Sequence, residues 1–264
     1  MDGNKIISTI LKHDKKQTTY KIALVRAINE IVSDYTFIGS RLAEDKEIDG
    51  VAIPIYLISQ LWLAYYWGFV NPRRLIWQGR PYKGAPPKKQ DLTFRNALTQ
   101  FRKRWEKQEQ QTGDSEGYFI NHIIRSKRKQ KSIDADLIEE YQAVIQKIKM
   151  GVEKPIEHIR IEGENDLWIA ESRSLSDLRN SYNLLHIPTK NEGFKYLFIK
   201  RDLWLAFEEL SMWIDALCIH QWCLFTETSM SISNANQQNQ RRFKKKKKRF
   251  RFVKSKLTRG DIYN

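Results

Sequence analysis

The chain has 264 residues, 41% hydrophobic and 29% charged, with a formal net charge of +15. That length and apolar content can bury a core, and the charge favours polyanionic partners, nucleic acid or an anionic membrane surface. Two cysteines, Cys218 and Cys223, five apart on one expected helix, are a poor disulfide pair, and Met1 to Lys12 is too polar for a secretory signal. A reducing, cytoplasmic setting follows as the expectation.

In chain order, Thr18 or Thr19 can cap a helix running to about Asp34, with Leu24, Ile28, Ile31 and Tyr35 on one stripe. Gly39 and the charged run Arg41 to Asp49 read as a loop. Val51 to Ile53 suits a short strand, and Pro54 is placed to open a helix over Ile55 to Trp67. Val51 to Val70 contains no charge and is followed by Arg73 and Arg74, which matches a membrane span in length. Pro54, Ser59, Gln60 and the aromatic content favour a buried core helix instead, so a membrane partner is not expected.

Asn71 to Gln90 is loop-like, rich in Pro and Gly, and holds Arg73, Arg74, Arg80, Lys83, Lys88 and Lys89 with no acid. Asp91 can cap the next helix, whose stripe is Phe94, Leu98, Phe101 and Trp105, with Arg95, Arg102, Lys103 and Arg104 on its other faces. Gly113 and Gly117 end it, and a second basic run follows with Arg125, Lys127, Arg128, Lys129 and Lys131. Ser132 or Asp134 then starts a helix carrying Leu137, Tyr141, Ile145 and Ile148, expected to stop at Gly151 with Pro155 beyond it.

Ile159 to Ile161 and Leu167 to Ile169 alternate around an acidic turn and predict a β-hairpin. Ser174 and Asp177 have capping-box spacing ahead of a stripe of Leu175, Leu178, Tyr182 and Leu185. Tyr196 to Ile199 suits a strand. Asp202 opens a last helix in which Leu203, Leu210, Leu217 and Leu224 recur every seven, with Phe207 and Ile214 between them. Trp204, Trp213 and Trp222 lie on its other faces, which implies burial on more than one side. From Thr226 the chain turns polar, and Arg241 to Asn264 has twelve Lys or Arg against one acid, a local charge of +11 that leaves +4 for the first 240 residues. The expected architecture is therefore α+β and mainly α-helical, with about six helices and a small hairpin over residues 1–228 and a disordered basic tail over residues 229–264.

Phosphate contact is expected of Arg73, Arg74, Arg80, Lys83, Arg102, Arg104, Lys127, Arg128, Arg241, Arg242, Lys244, Lys245, Lys246, Lys247, Lys248 and Arg249. Lys and Arg gain affinity there by releasing condensed counterions, and Phe243, Phe250 and Phe252 offer stacking surfaces. The chemistry of cleavage is missing. His13, His122, His158, His186 and His220 are far apart in sequence, and none has the second His or Asn of a ββα-metal nuclease. The hairpin acids Glu162, Glu164, Asp166 and Glu171 are followed by Arg173 where a carboxylate nuclease wants Lys, and acidic turns are ordinarily only solvated. Cys218, His220 and Cys223 supply three zinc ligands rather than four and diverge by about 140° on a helix. There is no Gly-rich phosphate loop and no nucleophile elbow.

Lys15 to Ala27 (KKQTTYKIALVRA), Pro54 to Trp67, Gln78-Gly79, Glu162 to Trp168 (EGENDLW) and Trp213 to Glu227 (WIDALCIHQWCLFTE) together resemble the front portion of bacterial proteins with a C-terminal HNH endonuclease domain. The resemblance covers roughly residues 5 to 227 and departs after Thr226, where the HNH residues would follow, and also over Ile169 to Asp202. It implies DNA as the nucleic acid and a truncated or remodelled member with no catalytic residue of its own. No cofactor is expected; a divalent metal would be needed only with a nuclease module. Three alternatives stay open: an HNH-type endonuclease whose nuclease module comes from a partner chain, a membrane-surface protein using residues 51–70 and the tail, and a gene remnant without function. No small-molecule substrate is expected, and the sequence leaves the oligomeric state undefined.

Overall fold

The computed structural model of the chain describes residues 7, 19–35, 49–72, 75–76, 91–112, 135–158, 167–171, 174–181, 183–185 and 195–227. Six α-helices and a four-stranded sheet lie among them: α1 Tyr20–Asp34, β1 Gly50–Pro54, α2 Ile55–Tyr66, α3 Arg95–Thr112, α4 Ala135–His158, β2 Leu167–Glu171, α5 Leu175–Ser181, β3 Asn183–Leu184, β4 Lys195–Lys200 and α6 over 201–227. A 3₁₀ turn, Trp67–Val70, extends α2. The mainly helical α+β class expected from the pattern is the class observed.

The apolar stripes account for the helices. Leu24, Ile28 and Ile31 of α1 are buried, as are Phe94, Leu98, Phe101 and Trp105 along α3 and Leu137, Tyr141, Ile145 and Ile148 of α4. Tyr35 falls just past the end of α1 and is exposed. Thr19 occupies the N-cap of α1 but makes no capping bond; its hydroxyl is turned inward onto Tyr66 OH at 2.8 Å. Ser174 does cap, accepting from the Asp177 N–H at 3.1 Å, as the capping box predicts.

The uncharged stretch Val51 to Val70 divides into a strand, a helix and a 3₁₀ turn, with Ile55, Ile58, Trp62, Leu63 and Tyr66 of α2 fully buried. No helix among the described residues is long and apolar enough to cross a membrane. The apolar run is a core element rather than a bilayer-inserted one, because α1, α4 and β4 surround it. Its two buried polar groups are satisfied internally: Ser59 donates to the Ile55 carbonyl at 2.8 Å, and Gln60 donates to Tyr141 OH at 2.7 Å.

The sheet runs β2-β4-β1-β3, with β4 antiparallel to both its neighbours and β3 parallel to β1. The predicted hairpin takes a different form. Leu167–Glu171 pairs with Lys195–Lys200 on one side, and the other half of the predicted hairpin, Ile159 to Ile161, lies outside the described residues, as does the acidic turn to Asp166. Gly50 faces Lys200 across the β1–β4 ladder, and a Cβ there would overlap the Ile199 carbonyl and sit 2.6 Å from the Phe198 ring.

Helix α4 runs through Gly151 and Pro155 to His158, past the expected stop. Pro155 removes one backbone donor and crowds the preceding turn, a cost of about 3 kcal/mol. Val152 and Ile156 are buried on either side of it, and that burial holds the last turns in place. Gly151 serves close packing: a Cβ there would meet the Phe94 ring at 3.1 Å.

Helix α6 runs antiparallel to α1. Asn29 donates to the Ser211 carbonyl at 3.0 Å, the Ser33 and Ser211 hydroxyls meet, and Arg26 lies 3.7 Å from Asp215. Its buried stripe is Leu203, Phe207, Ile214, Cys218 and Phe225. The expected stripe of leucines every seven is only partly right. A seven-residue repeat drifts about 20° per repeat on a straight helix, so Leu210 and Leu217 are half-buried and Leu224 is 46% exposed. Residues 203, 214 and 225, eleven apart, keep closer phase and stay inside. Burial of all three tryptophans is also corrected: Trp204 is fully buried and Trp222 half-buried, but Trp213 is 75% exposed.

Candidate nucleic-acid interface

Of the two strongly basic segments, 71–90 is flanked by described residues that meet the end of α6 at one corner, and 241–264 lies outside the described residues, beyond the end of α6 at 227. The first is rooted by Arg95, in the first turn of α3. Its guanidinium donates to the Phe69 carbonyl at 2.8 Å, to the Ile76 carbonyl at 2.7 Å and, through Nε, to the Asp91 carboxylate. Ile76 also donates its N–H to the Phe69 carbonyl at 3.3 Å. One buried fork therefore ties together both ends of the segment 77–90, whose sequence includes Arg80, Lys83, Lys88 and Lys89. Arg rather than Lys suits this position, because a planar guanidinium reaches three acceptors in fixed directions.

Phe69 is also where the end of α6 docks. Trp222 lies edge-on to Phe69 at 5.5 Å and to Tyr65 at 6.3 Å, and tilted against Tyr66 at 5.2 Å, between ring centroids. Phe225, one turn further on, is buried. Tyr66 continues the cluster to Phe94 at 5.3 Å and Trp62 at 5.6 Å, and Tyr20 lies 5.2 Å from Trp62. Tilted and edge-on contacts of this kind add about 0.5–1.5 kcal/mol per pair beyond area burial. The Tyr20 hydroxyl accepts from the Thr93 N–H at 3.0 Å. An aromatic wedge thus fixes the point from which the chain leaves toward residues 228–264, next to the root of the loop.

Polar chemistry at this corner is structural. Tyr65 donates to Glu30 at 2.5 Å, and Arg26 lies over its ring at 4.5 Å. Burial, with the Glu30 hydrogen bond and charge, pushes the Tyr65 phenol far above its ordinary range. Burial raises Tyr20 as well, against the opposing hydrogen bonds from Thr93. At the sheet edge, burial pulls the Lys195 ammonium down, but hydrogen bonds to Glu153 at 2.9 Å and Glu171 at 3.0 Å outweigh it and hold the group above the usual lysine range.

Of the expected phosphate contacts, only Arg102 and Arg104 fall within the described residues. Arg102 is corrected. It is 4% exposed, donates to the Trp67 carbonyl at 2.9 Å and to Glu106 at 2.6 Å, and lies over the Trp67 ring at 5.2 Å. Its fork joins the 3₁₀ turn to α3, and a phosphate cannot reach it. Arg104 remains at the surface in an exposed pair with Asp136 at 3.4 Å, worth at most about 1 kcal/mol. Arg73, Arg74, Arg80, Lys83, Lys127, Arg128, Arg241, Arg242 and Lys244 to Arg249 lie outside the described residues, as do the acids Glu162, Glu164 and Asp166. The second basic run, 113–134, leaves from the far end of α3, about 27 Å from Arg95 along the helix.

Among the described residues no three His, Cys, Asp or Glu side chains come together to hold a metal. Cys218 is buried and Cys223 exposed, so the three zinc-type ligands of α6 split between opposite faces. Arg95 is the residue the sequence reading missed at this corner, having placed it on a face of α3 other than its buried stripe. Its four-residue spacing from Asp91 at a helix start was the available signal.

A family described as a domain of unknown function (DUF8808) matches residues 2–245, and the chain belongs to that family. The match runs through residues 169–202 and past the end of α6 into the basic block. No curated protein and no solved structure matches the chain.

Proposed function

We propose that this member of the DUF8808 family binds DNA, chiefly through phosphates, using the basic loop 71–90 and the basic segment 241–249 as one composite surface. One observation carries the reading: Arg95, Phe69 and Trp222 bring the root of the loop and the exit of α6 to the same corner. With the root of the first segment beside the point where the chain leaves α6, the two cationic segments can act together on neighbouring phosphates of one duplex. Residues 71–90 carry six Lys or Arg and no acid, and residues 241–249 carry eight Lys or Arg and no acid. Arg104 on α3 adds a surface cation, and Lys127 and Arg128 add two more to the chain's charge.

Binding of this kind is dominated by counterion release and has little base preference. The test is fluorescence anisotropy on a duplex of about 30 base pairs, titrated from 50 to 300 mM salt. The slope of log affinity against log salt is about −0.9 for each phosphate neutralised. Replacing Arg73, Arg74, Arg80 and Lys83 by Gln flattens the slope, and so does replacing Lys244 to Arg249. Changing both sets costs more than either alone. Absence of binding at 50 mM salt, or a slope indifferent to both sets, excludes the reading.

An HNH endonuclease lineage, suggested by WIDALCIHQWCLFTE and the other quoted segments, would make the chain the DNA-holding part of a nuclease whose module another chain supplies. Incubation with plasmid and magnesium or manganese tests it. The chain alone leaves the plasmid intact, and nicking by purified protein that is lost in Glu164→Ala would assign the chemistry to this chain instead.

A further inference from the structure

Each arginine of α3 already has a carboxylate. Arg95 pairs with Asp91, Arg102 with Glu106 and Arg104 with Asp136. The two lysines of the helix, Lys103 and Lys107, are exposed, and neither forms an ion pair among the described residues. Glu106 is close to both in sequence, but its carboxylate is held by the Arg102 guanidinium at 2.6 Å. Lysines four apart also stand side by side on a helix, and like charges at that spacing weaken it. An anion laid across the two turns that repulsion into attraction.

The lysines belong to a ridge. Asn96, Gln100, Lys103 and Lys107 follow one another at steps of four, three and four, and all are exposed. At 100° per residue they fall within an arc of about 60°, on the side opposite the buried Leu98, Phe101 and Trp105. The ridge is about 16 Å long and contains neither an acid nor an apolar side chain. Its first residue follows Arg95, which ties together the two ends of the segment 77–90. A cationic track fixed on a folded helix therefore leads away from the root of the first basic segment.

We propose that this ridge of α3 lies against the phosphate backbone of a DNA duplex. Lys103 and Lys107 neutralise phosphates, and the Asn96 and Gln100 amides donate to phosphate oxygens. The inference rests on the reading that the chain binds DNA, and it adds to the basic segments a contact built on regular structure. It also moves the α3 contact from Arg102 and Arg104 to the two lysines that no acid claims. A helix is already ordered before binding, so these contacts cost less conformational entropy than contacts from a loop or a tail.

Fluorescence anisotropy of the full chain on a duplex of about 30 base pairs, between 50 and 300 mM salt, tests the proposal. Lys103→Gln with Lys107→Gln lowers the slope of log affinity against log salt by about 2, about 1 for each lysine. Affinity at 100 mM salt falls on the order of tenfold with an unchanged circular dichroism spectrum. Lys147→Gln with Lys154→Gln removes the same charge from the exposed side of α4 and changes the slope by less than about 0.5. Gln100→Glu, which sets a carboxylate in the ridge, weakens binding at least fivefold, whereas Gln146→Glu on α4 changes it by less than about twofold. If the α3 lysine pair leaves the slope unchanged, or the α4 pair lowers it as much, the ridge is overturned. The DNA reading survives that result when the variants in 73–83 and 244–249 still flatten the slope. If the unaltered chain does not bind at 50 mM salt, both fall. Loss of binding to phosphatidylserine vesicles in the α3 lysine pair, with the DNA slope unchanged, assigns the ridge to a lipid surface and overturns the proposal as well.

Discussion

Two aromatic-rich regions of the molecule behave oppositely. At the corner where α2, the 3₁₀ turn, the start of α3 and the end of α6 meet, Tyr20, Trp62, Tyr66, Phe69, Phe94 and Trp222 close on one another. Along the outer side of α6, Met212 and Trp213 face solvent. Both regions are rich in large apolar side chains, so composition does not distinguish them. What differs is the number of elements that converge: five at the corner, with α1 entering through Tyr20, and one on the outer face. An aromatic ring contributes to stability when several elements surround it, and otherwise it is available for association.

The largest effect expected from breaking this comparison is at Trp62, fully buried at the centre of the corner. Trp62→Ala should cost about 3–5 kcal/mol in urea unfolding, by lost transfer energy and the cavity left behind. Next is Arg95→Met, which fills similar volume but leaves the Phe69 and Ile76 carbonyls without their shared donor. A loss of about 1–3 kcal/mol is expected, chiefly from the Ile76 carbonyl, since the Phe69 carbonyl keeps the Ile76 N–H. Weaker DNA binding should accompany it at nearly unchanged salt slope, because the loop's charges remain while its root is released.

A smaller effect concerns alkaline pH. Tyr20, Tyr65 and Lys195 all hold their protons more tightly in the folded chain than in the unfolded one. Their contribution is therefore fully present below the ordinary values of 10.0 for Tyr and 10.5 for Lys, and it is lost as pH rises toward the folded values. Thermal stability should fall above about pH 10, and Tyr65→Phe should shallow that fall. The smallest effect is at Trp213. Trp213→Ser should change stability in urea unfolding by less than about 0.5 kcal/mol. A larger loss would mean that the outer face is covered within the chain, and the contrast with the corner would fail.

Helix positions were legible in the sequence because the periodic burial of Phe94, Leu98, Phe101 and Trp105, or of Leu137, Tyr141, Ile145 and Ile148, is local information. The strands β1 and β4 were legible as short β-branched and aromatic runs, but their pairing was not. Leu167–Glu171 pairs with Lys195–Lys200, which lies more than twenty residues on in the chain, and a contact so distant in sequence leaves no local signal. Gly151 and Pro155 looked like a helix stop and were not one, because packing against Phe94 and the core outweighs a local signal of about 3 kcal/mol. Arg102 illustrates the same limit for the site. An arginine on a basic helix looks like a phosphate contact, and only the 3₁₀ turn lying across it shows that its charge is already matched.

By itself the sequence determined the helical stripes, the asymmetry of charge along the chain and the mainly α class, each set by residues close together in the chain. Only the tertiary structure decided that the residues flanking the basic segment 77–90 and the exit of α6 share a corner, and that one face of α6 stays outside. Both depend on which distant side chains meet, Phe69 with Trp222 and Arg95 with Ile76, and no local period encodes that.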